Sequence, residues 1–171
     1  MFQKHDHVVH PKHGVGTITG TRTVKLDGKK RRYYCIELLK NDSTVMISAE
    51  HLEESGLRPA SVDEQLIRTV MSEPANPLPD NNRERENYIG KRFSAESPET
   101  AIRMLRDILC YGLRKKLSSA DRRFRDRAKE LIANELALHA GLDVETARNA
   151  MEGILSDMLV LHAPPQAAAE A

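Results

Sequence analysis

Ten basic side chains lie between Arg103 and Lys129 (Arg103, Arg106, Arg114, Lys115, Lys116, Arg122, Arg123, Arg125, Arg127 and Lys129) against three acids, Asp107, Asp121 and Asp126. That is a local net of +7 in a chain whose overall net charge is +1. Guanidinium and ammonium groups at this density attract a polyanion, and phosphate contacts made in this way weaken steeply with salt. Taken alone, the run reads more readily as a solvated helix face.

Metal and bond-making chemistry find less support. His5, His7, His10 and His13 are close enough for some to share one side of a strand, yet neither cysteine nor an acid cluster completes a ligand set. They are expected to be polar surface residues rather than a metal site. PKHGVGTITG is rich in glycine but lacks the Lys-Ser/Thr of a phosphate-binding loop and runs into strand residues, so its glycines are expected in tight turns. Asp63 with Glu64, and Glu84 with Glu86, are carboxylate pairs on polar helix starts, and no GxSxG, HExxH or Cys/His pattern appears. The expectation is a binding protein and not an enzyme, with no cofactor, metal or small-molecule substrate.

The elements that must carry these residues divide at about Pro59. The chain has 171 residues, 40% hydrophobic and 30% charged, which suits one ordinary domain or two small ones. Aromatics make up 4% and tryptophan is absent, so the core must be aliphatic. Cys35 and Cys110 fit no metal or redox spacing and are expected as small hydrophobes in a reducing cytoplasm. No apolar run reaches the roughly 18 residues of a membrane span and MFQKHDHVVH has no apolar stretch behind a basic start, so the protein is expected to be neither inserted nor exported.

Residues 1–58 read as about five short β-strands, with turns at Asp27-Gly28 and around Asn41-Asp42, and predict a small SH3-like or Tudor-like barrel whose closure removes exposed edges. Residues 59–162 change to a 3.6-residue period and predict an all-α bundle, making the fold α+β; residues 163–171 read as a disordered tail. Ser61 and Glu64 suggest a capping box, and Ser72–Asp80, with three prolines, an extended loop. Asn81–Phe93 is a polar helix candidate weakened by Gly90. Ser97-Pro98, Ser118 or Ser119, and Asp143 start three further helices, and Gly141 stops the second of them.

Several of these residues together resemble the CarD family of bacterial RNA polymerase-binding regulators, over about residues 2 to 140. They are the opening Phe2, Asp6, Val8, Val9, Pro11, Gly14, Val15 and Gly16; the Tyr33-Tyr34 strand; Ser55-Gly56-Leu57-Arg58; Leu105-Arg106-Asp107; and the LSSADRR stretch. The first module is also similar to the polymerase-interacting domain of transcription-repair coupling factor. The resemblance implies a Tudor-like domain on the polymerase β subunit and a helical domain at promoter DNA, near the upstream edge of the bubble. Arg22 matches a polymerase-contacting arginine and Thr44, Val45 and Met46 the strand beside it, although the position of Met46 is basic in several relatives. Asn82, Arg83, Arg85, Lys91 and Arg92, with Arg122 and Arg123 on the basic helix, are the residues expected at DNA.

Members of that family usually place a tryptophan wedge at the start of the helix after the proline-rich loop. Here alignment back from Leu105-Arg106-Asp107 puts Asn82 there, and matching Arg85-Glu86-Asn87 puts Asp80 there instead. Neither is an apolar wedge of the kind that unstacks bases; Tyr88, Ile89 or Phe93 would serve only from a shifted register. The functional expectation is a regulator that modulates open-complex stability, and the alternative is a polymerase-bound adaptor that recruits another protein without wedging DNA.

Overall fold

The computed structural model describes residues 2–93 and 97–163, so the expected tail lies outside the described residues except for Ala163. Five antiparallel strands come first: β1 (His7–His10), β2 (Gly14–Leu26), β3 (Lys29–Leu38), β4 (Thr44–Ser48) and β5 (Arg58–Pro59), in the order β4-β3-β2-β1-β5. Alternation sets the faces. Tyr34, Ile36 and Leu38 of β3 turn inward onto Val8 and Ile18, and Val45 and Ile47 of β4 join them. This is the expected Tudor-like module, built as an open ladder: among the described residues β4 and β5 are its two ends and do not pair.

Asp27 (φ 50°) and Gly28 (φ 77°) form the tight β2–β3 hairpin turn, both in the left-handed region that a right-twisted ribbon requires. Gly16 meets a different demand. A Cβ there would lie 2.5 Å from the Glu37 carbonyl oxygen and 2.8 Å from Ile36 Cγ2, so it permits close approach of β2 to β3 rather than a turn.

Five α-helices follow: α1 (Glu64–Ser72), α2 (Asn82–Arg92), α3 (Pro98–Gly112), α4 (Ser119–Ala140) and α5 (Val144–Leu159), then a short 3₁₀ turn, Val160–His162. Asp63 caps α1 by accepting from the Leu66 N–H at 2.7 Å, not Ser61 as expected. Ser97 caps α3 with Pro98 at its first position, and Asp143 caps α5. Ser118 and Asp121 make a reciprocal capping box on α4, and Gly141 (φ 66°) ends that helix. Ile67, Val70 and Met71 of α1, Ile102 and Leu105 of α3, Ile132 and Leu136 of α4, and Met151, Ile154 and Leu155 of α5 form an aliphatic core.

The two halves are joined by more than the chain. Val9 and Val15 of the sheet pack with Ala60, Leu131 and Leu138. At the centre of this contact Glu135, 1% exposed, accepts two hydrogen bonds from the Arg58 guanidinium at 2.6 and 2.8 Å and one from the Ser61 N–H at 2.8 Å. The sequence pattern puts Glu135 among the apolar positions of α4. It is buried as that pattern requires, but as the acid that clasps β5.

Candidate functional site

The proline-rich loop and the start of α2 are held by two buried arginine systems. Arg106 of α3 donates to the Val70 carbonyl at 3.0 Å, where a cation suits the C-terminus of α1, and to Asp107 at 2.8 and 3.0 Å. Asp107 in turn accepts from the Asn76 backbone N–H and side-chain amide, each at 3.0 Å, and so pins the middle of the loop. Glu73, bonded by Arg103 and Arg106, has a carboxyl held below the usual carboxylate range, chiefly by Arg103. The Leu105-Arg106-Asp107 motif is therefore a loop anchor.

Arg85 fastens the other end. Its guanidinium reaches Asp121 at 2.7 and 3.0 Å, the Pro79 and Asp80 carbonyls at 2.8 and 3.0 Å and the Asn82 side-chain oxygen at 2.7 Å, and lies 4.4 Å from the centre of the Tyr111 ring. Burial pushes the Asp121 carboxyl up, but hydrogen bonds from Arg85 and Ser118 outweigh that and hold it below the ordinary aspartate value. Arg85 is fully buried, so its expected place among DNA-contacting residues is corrected: it has no surface to present to a phosphate. Its partner Asp121 escaped the sequence reading, although an acid three residues after a helix-capping Ser is a recognisable signal.

The remaining residues of that set are exposed and fall on two adjoining helices. Asn82, Arg83, Lys91 and Arg92 line α2, and Arg122 and Arg123 begin α4. The Arg85–Asp121 pair, a 3.5 Å Arg123–Glu86 contact and Phe93 beside Phe124 (ring centres 6.1 Å apart) bring the two helices together. Arg114 and Lys116 of the α3–α4 loop are exposed next to them in sequence, and among the described residues neither they nor Arg83 and Lys91 make an ion pair. Both positions aligned with the family wedge are polar and exposed: Asn82, its amide oxygen held by Arg85, and Asp80. Ile89 is fully buried, Tyr88 lies under the Arg92 guanidinium at 3.9 Å, and Phe93 packs into the core. None of the three stands at the start of α2.

On the sheet, Arg22, Thr44 and Met46 gather with Thr19, Gly20 and Cys35 around one open depression on the outer face. Met46 is directly opposite Cys35, and Gly20 flanks Cys35 on the other side. Val45 departs from this group. Its side chain turns inward onto the core of the sheet module, as strand alternation requires between two outward neighbours.

The histidines serve the first strand and its turn. His10 Nδ1 accepts from the Lys12 and His13 N–H groups at 3.1 and 3.3 Å, and burial, then the charges of His13 and Lys12, lower its pKa. His7 contacts the Thr17 hydroxyl at 3.0 Å. Among the described residues no three histidines, cysteines or acids converge as a metal site, and the buried acids Asp107, Asp121 and Glu135 are each engaged by a guanidinium. Among the described residues no helix is long and apolar enough to cross a membrane.

Comparison with known proteins gives two family models in succession, "CarD-like/TRCF RID domain" over residues 2–61 and "CarD, C-terminal domain" over residues 67–152. YdeB of Bacillus subtilis (strain 168), named as a candidate transcription factor, is 29% identical over 147 residues, which is 83% of this chain and 94% of that protein. Among solved structures, "CdnLNt from Myxoccoccus xanthus" is 28% identical with a TM-score of 0.33, covering 37% of this chain and 90% of its own.

Proposed function

The chain belongs to the CarD family, and from that premise we propose that it regulates transcription by binding RNA polymerase through its sheet and modulating the promoter open complex through its helices. Arg22, Thr44 and Met46 are the polymerase-facing residues of this reading, directed at the β subunit. Arg83, Lys91, Arg92, Arg122 and Arg123 meet promoter DNA by its phosphates, beside the minor groove at the bubble edge. The work is done in the cytoplasm, at the nucleoid, and involves no bond chemistry.

The observation that carries the proposal is the family match across both halves of the chain, which the exposed basic edge of α2 and α4 supports. A protein that binds the melted promoter better than the closed one shifts that equilibrium by the ratio of its two affinities. With Asn82, or Asp80 in the other alignment, where a wedge would stand, the differential must come from phosphate contacts rather than from an inserted ring. This same asparagine favours the second reading, an adaptor that sits on polymerase and recruits another protein.

Open-complex lifetime, measured with cognate polymerase across salt concentrations, tests both. Lengthened or shortened lifetime with increasing salt sensitivity supports modulation through phosphates. Polymerase binding with unchanged lifetime supports the adaptor, and absence of polymerase binding removes both.

A further inference from the structure

The outer part of the β2–β3 hairpin projects beyond the rest of the sheet as a two-stranded ribbon. β1 pairs with β2 only over Gly14–Thr17, and β4 pairs with β3 only over Tyr33–Glu37, so the register from Thr23↔Arg32 to Leu26↔Lys29 has no third strand on either side; at its root the Ala49 N–H, just past β4, donates to the Arg32 carbonyl at 2.9 Å. At about 3.4 Å per residue these steps make an arm of about 10 Å beyond the sheet. It carries Lys25, Lys29, Lys30, Arg31 and Arg32, with Arg22 at its base, against one acid, Asp27. All six cations are exposed, and among the described residues none makes an ion pair.

Register divides these cations between two faces of different character. The outer face continues the Arg22–Met46 depression and mixes apolar and basic groups, with Tyr33 opposite Arg22, Val24 opposite Arg31, and Leu26 opposite Lys29. The inner face continues the row Leu38, Ile36 and Tyr34 past the end of the core and bears Lys25 directly opposite Lys30, with Arg32 one step nearer the sheet opposite Thr23. Like charges placed directly across a ladder destabilise it. A protein-docking face would carry apolar anchors and few charges at its centre, which describes the outer face and not the inner one. A close row of cations without acids or anchors is instead matched to a row of phosphates, and a two-stranded ribbon is one of the shapes a DNA groove admits.

We infer that the inner face of this ribbon, Lys25, Lys30 and Arg32, is a second nucleic-acid contact, gripping the phosphate backbone without reading sequence. It adds DNA to the half of the molecule whose outer face is proposed for polymerase, and it does not depend on the helical edge binding DNA. Neutralising it removes a repulsion, so the triple variant K25Q/K30Q/R32Q should fold with an unchanged or higher unfolding temperature.

The test is the affinity of the full chain for a fluorescent duplex of about 20 base pairs, titrated at several salt concentrations, for the wild type, K25Q/K30Q/R32Q and R122Q/R123Q. The expected result for the ribbon variant is an affinity about tenfold lower at moderate salt and a log-log salt slope shallower by 2 to 3, since each lost phosphate contact contributes about 0.9. Unchanged affinity and slope would overturn the inference, and if the same variant bound polymerase less tightly the ribbon would be a protein-docking element instead. Loss of binding in R122Q/R123Q alone would overturn the ribbon while leaving the helical edge standing. Loss in the ribbon variant alone would do the reverse, and a wild type with no affinity for the duplex would sink both.

Discussion

Asp121 does two jobs in the candidate site, because one carboxylate caps α4 through the Ser118 N–H and receives the Arg85 guanidinium that holds α2 and the loop before it. Removing one partner of a buried pair leaves the other charge uncompensated, at a cost of about 3 kcal/mol or more. Asp121→Asn should lower the unfolding free energy by that order in a denaturant titration; a loss under 1 kcal/mol would mean that Arg85 finds other acceptors. The folded carboxyl lies below its unfolded value of about 3.9, so its stabilisation is complete above about pH 4 and fades as pH falls through the folded value. The variant should lack that part of the acid-induced loss. His10 is shifted in the same direction. Its folded pKa lies below the ordinary 6.5, so the neutral ring is the favoured form, and stability present above that pH declines as pH falls. His10→Asn keeps an acceptor for the Lys12 and His13 N–H groups without a titrating ring, and should flatten thermal stability between pH 7 and pH 5. An unaltered pH profile would show that the decline arises elsewhere.

Strand and helix starts are governed by local rules, and this is why most elements could be placed without coordinates. Period-two alternation, the Asp27-Gly28 turn, Ser97-Pro98, Ser118, Gly141 and Asp143 each satisfy their own backbone within a few residues. The α1 cap falls at Asp63, two residues from the expected Ser61, whose N–H instead donates to Glu135, a partner 74 residues away that no local pattern announces. Polar α2 is similar. Apart from Ile89, its buried residue is an arginine whose acid partner lies 36 positions on, so a basic side chain read as phosphate-facing is an internal strut. Gly16 shows the same limit from the other side: its spacing with Gly14 suggests turns, whereas the reason for it lies across the ladder at Ile36 and Glu37. Gly16→Ala should force β2 and β3 apart and cost about 1–3 kcal/mol as overpacking does, measured by thermal or chemical unfolding. An unchanged midpoint would mean that the ladder shifts without penalty. Charge was legible by count, but its partition into buried struts and exposed cations is a tertiary property.

At the scale of the whole molecule, the proposed function needs the polymerase-facing sheet and the DNA-facing edge to be held in a fixed relation, since affinity for one promoter state over another requires a definite geometry between the two contacts. The joint that supplies it is small: the Val9, Val15, Leu131 and Leu138 contact and the Arg58–Glu135 pair, with a 3.0 Å Lys40–Glu130 ion pair at the exposed margin. Exposed pairs contribute little, whereas Glu135 is fully enclosed and takes three donors, so rigidity rests on the inner pair. Glu135→Gln preserves shape and an acceptor but removes the charge that fixes the guanidinium. Each half keeps its own core cluster, so the predicted effect is on the relation between the halves more than on either fold. Binary affinity for polymerase should change by less than about threefold, because the outer sheet face is untouched, while the effect on open-complex lifetime should fall severalfold. Equal loss of both would mean that the substitution unfolds the chain. An undiminished lifetime effect with intact binding would show that the helical edge finds DNA without being aimed by the sheet, and the Arg58–Glu135 clasp would then be a contributor to stability alone.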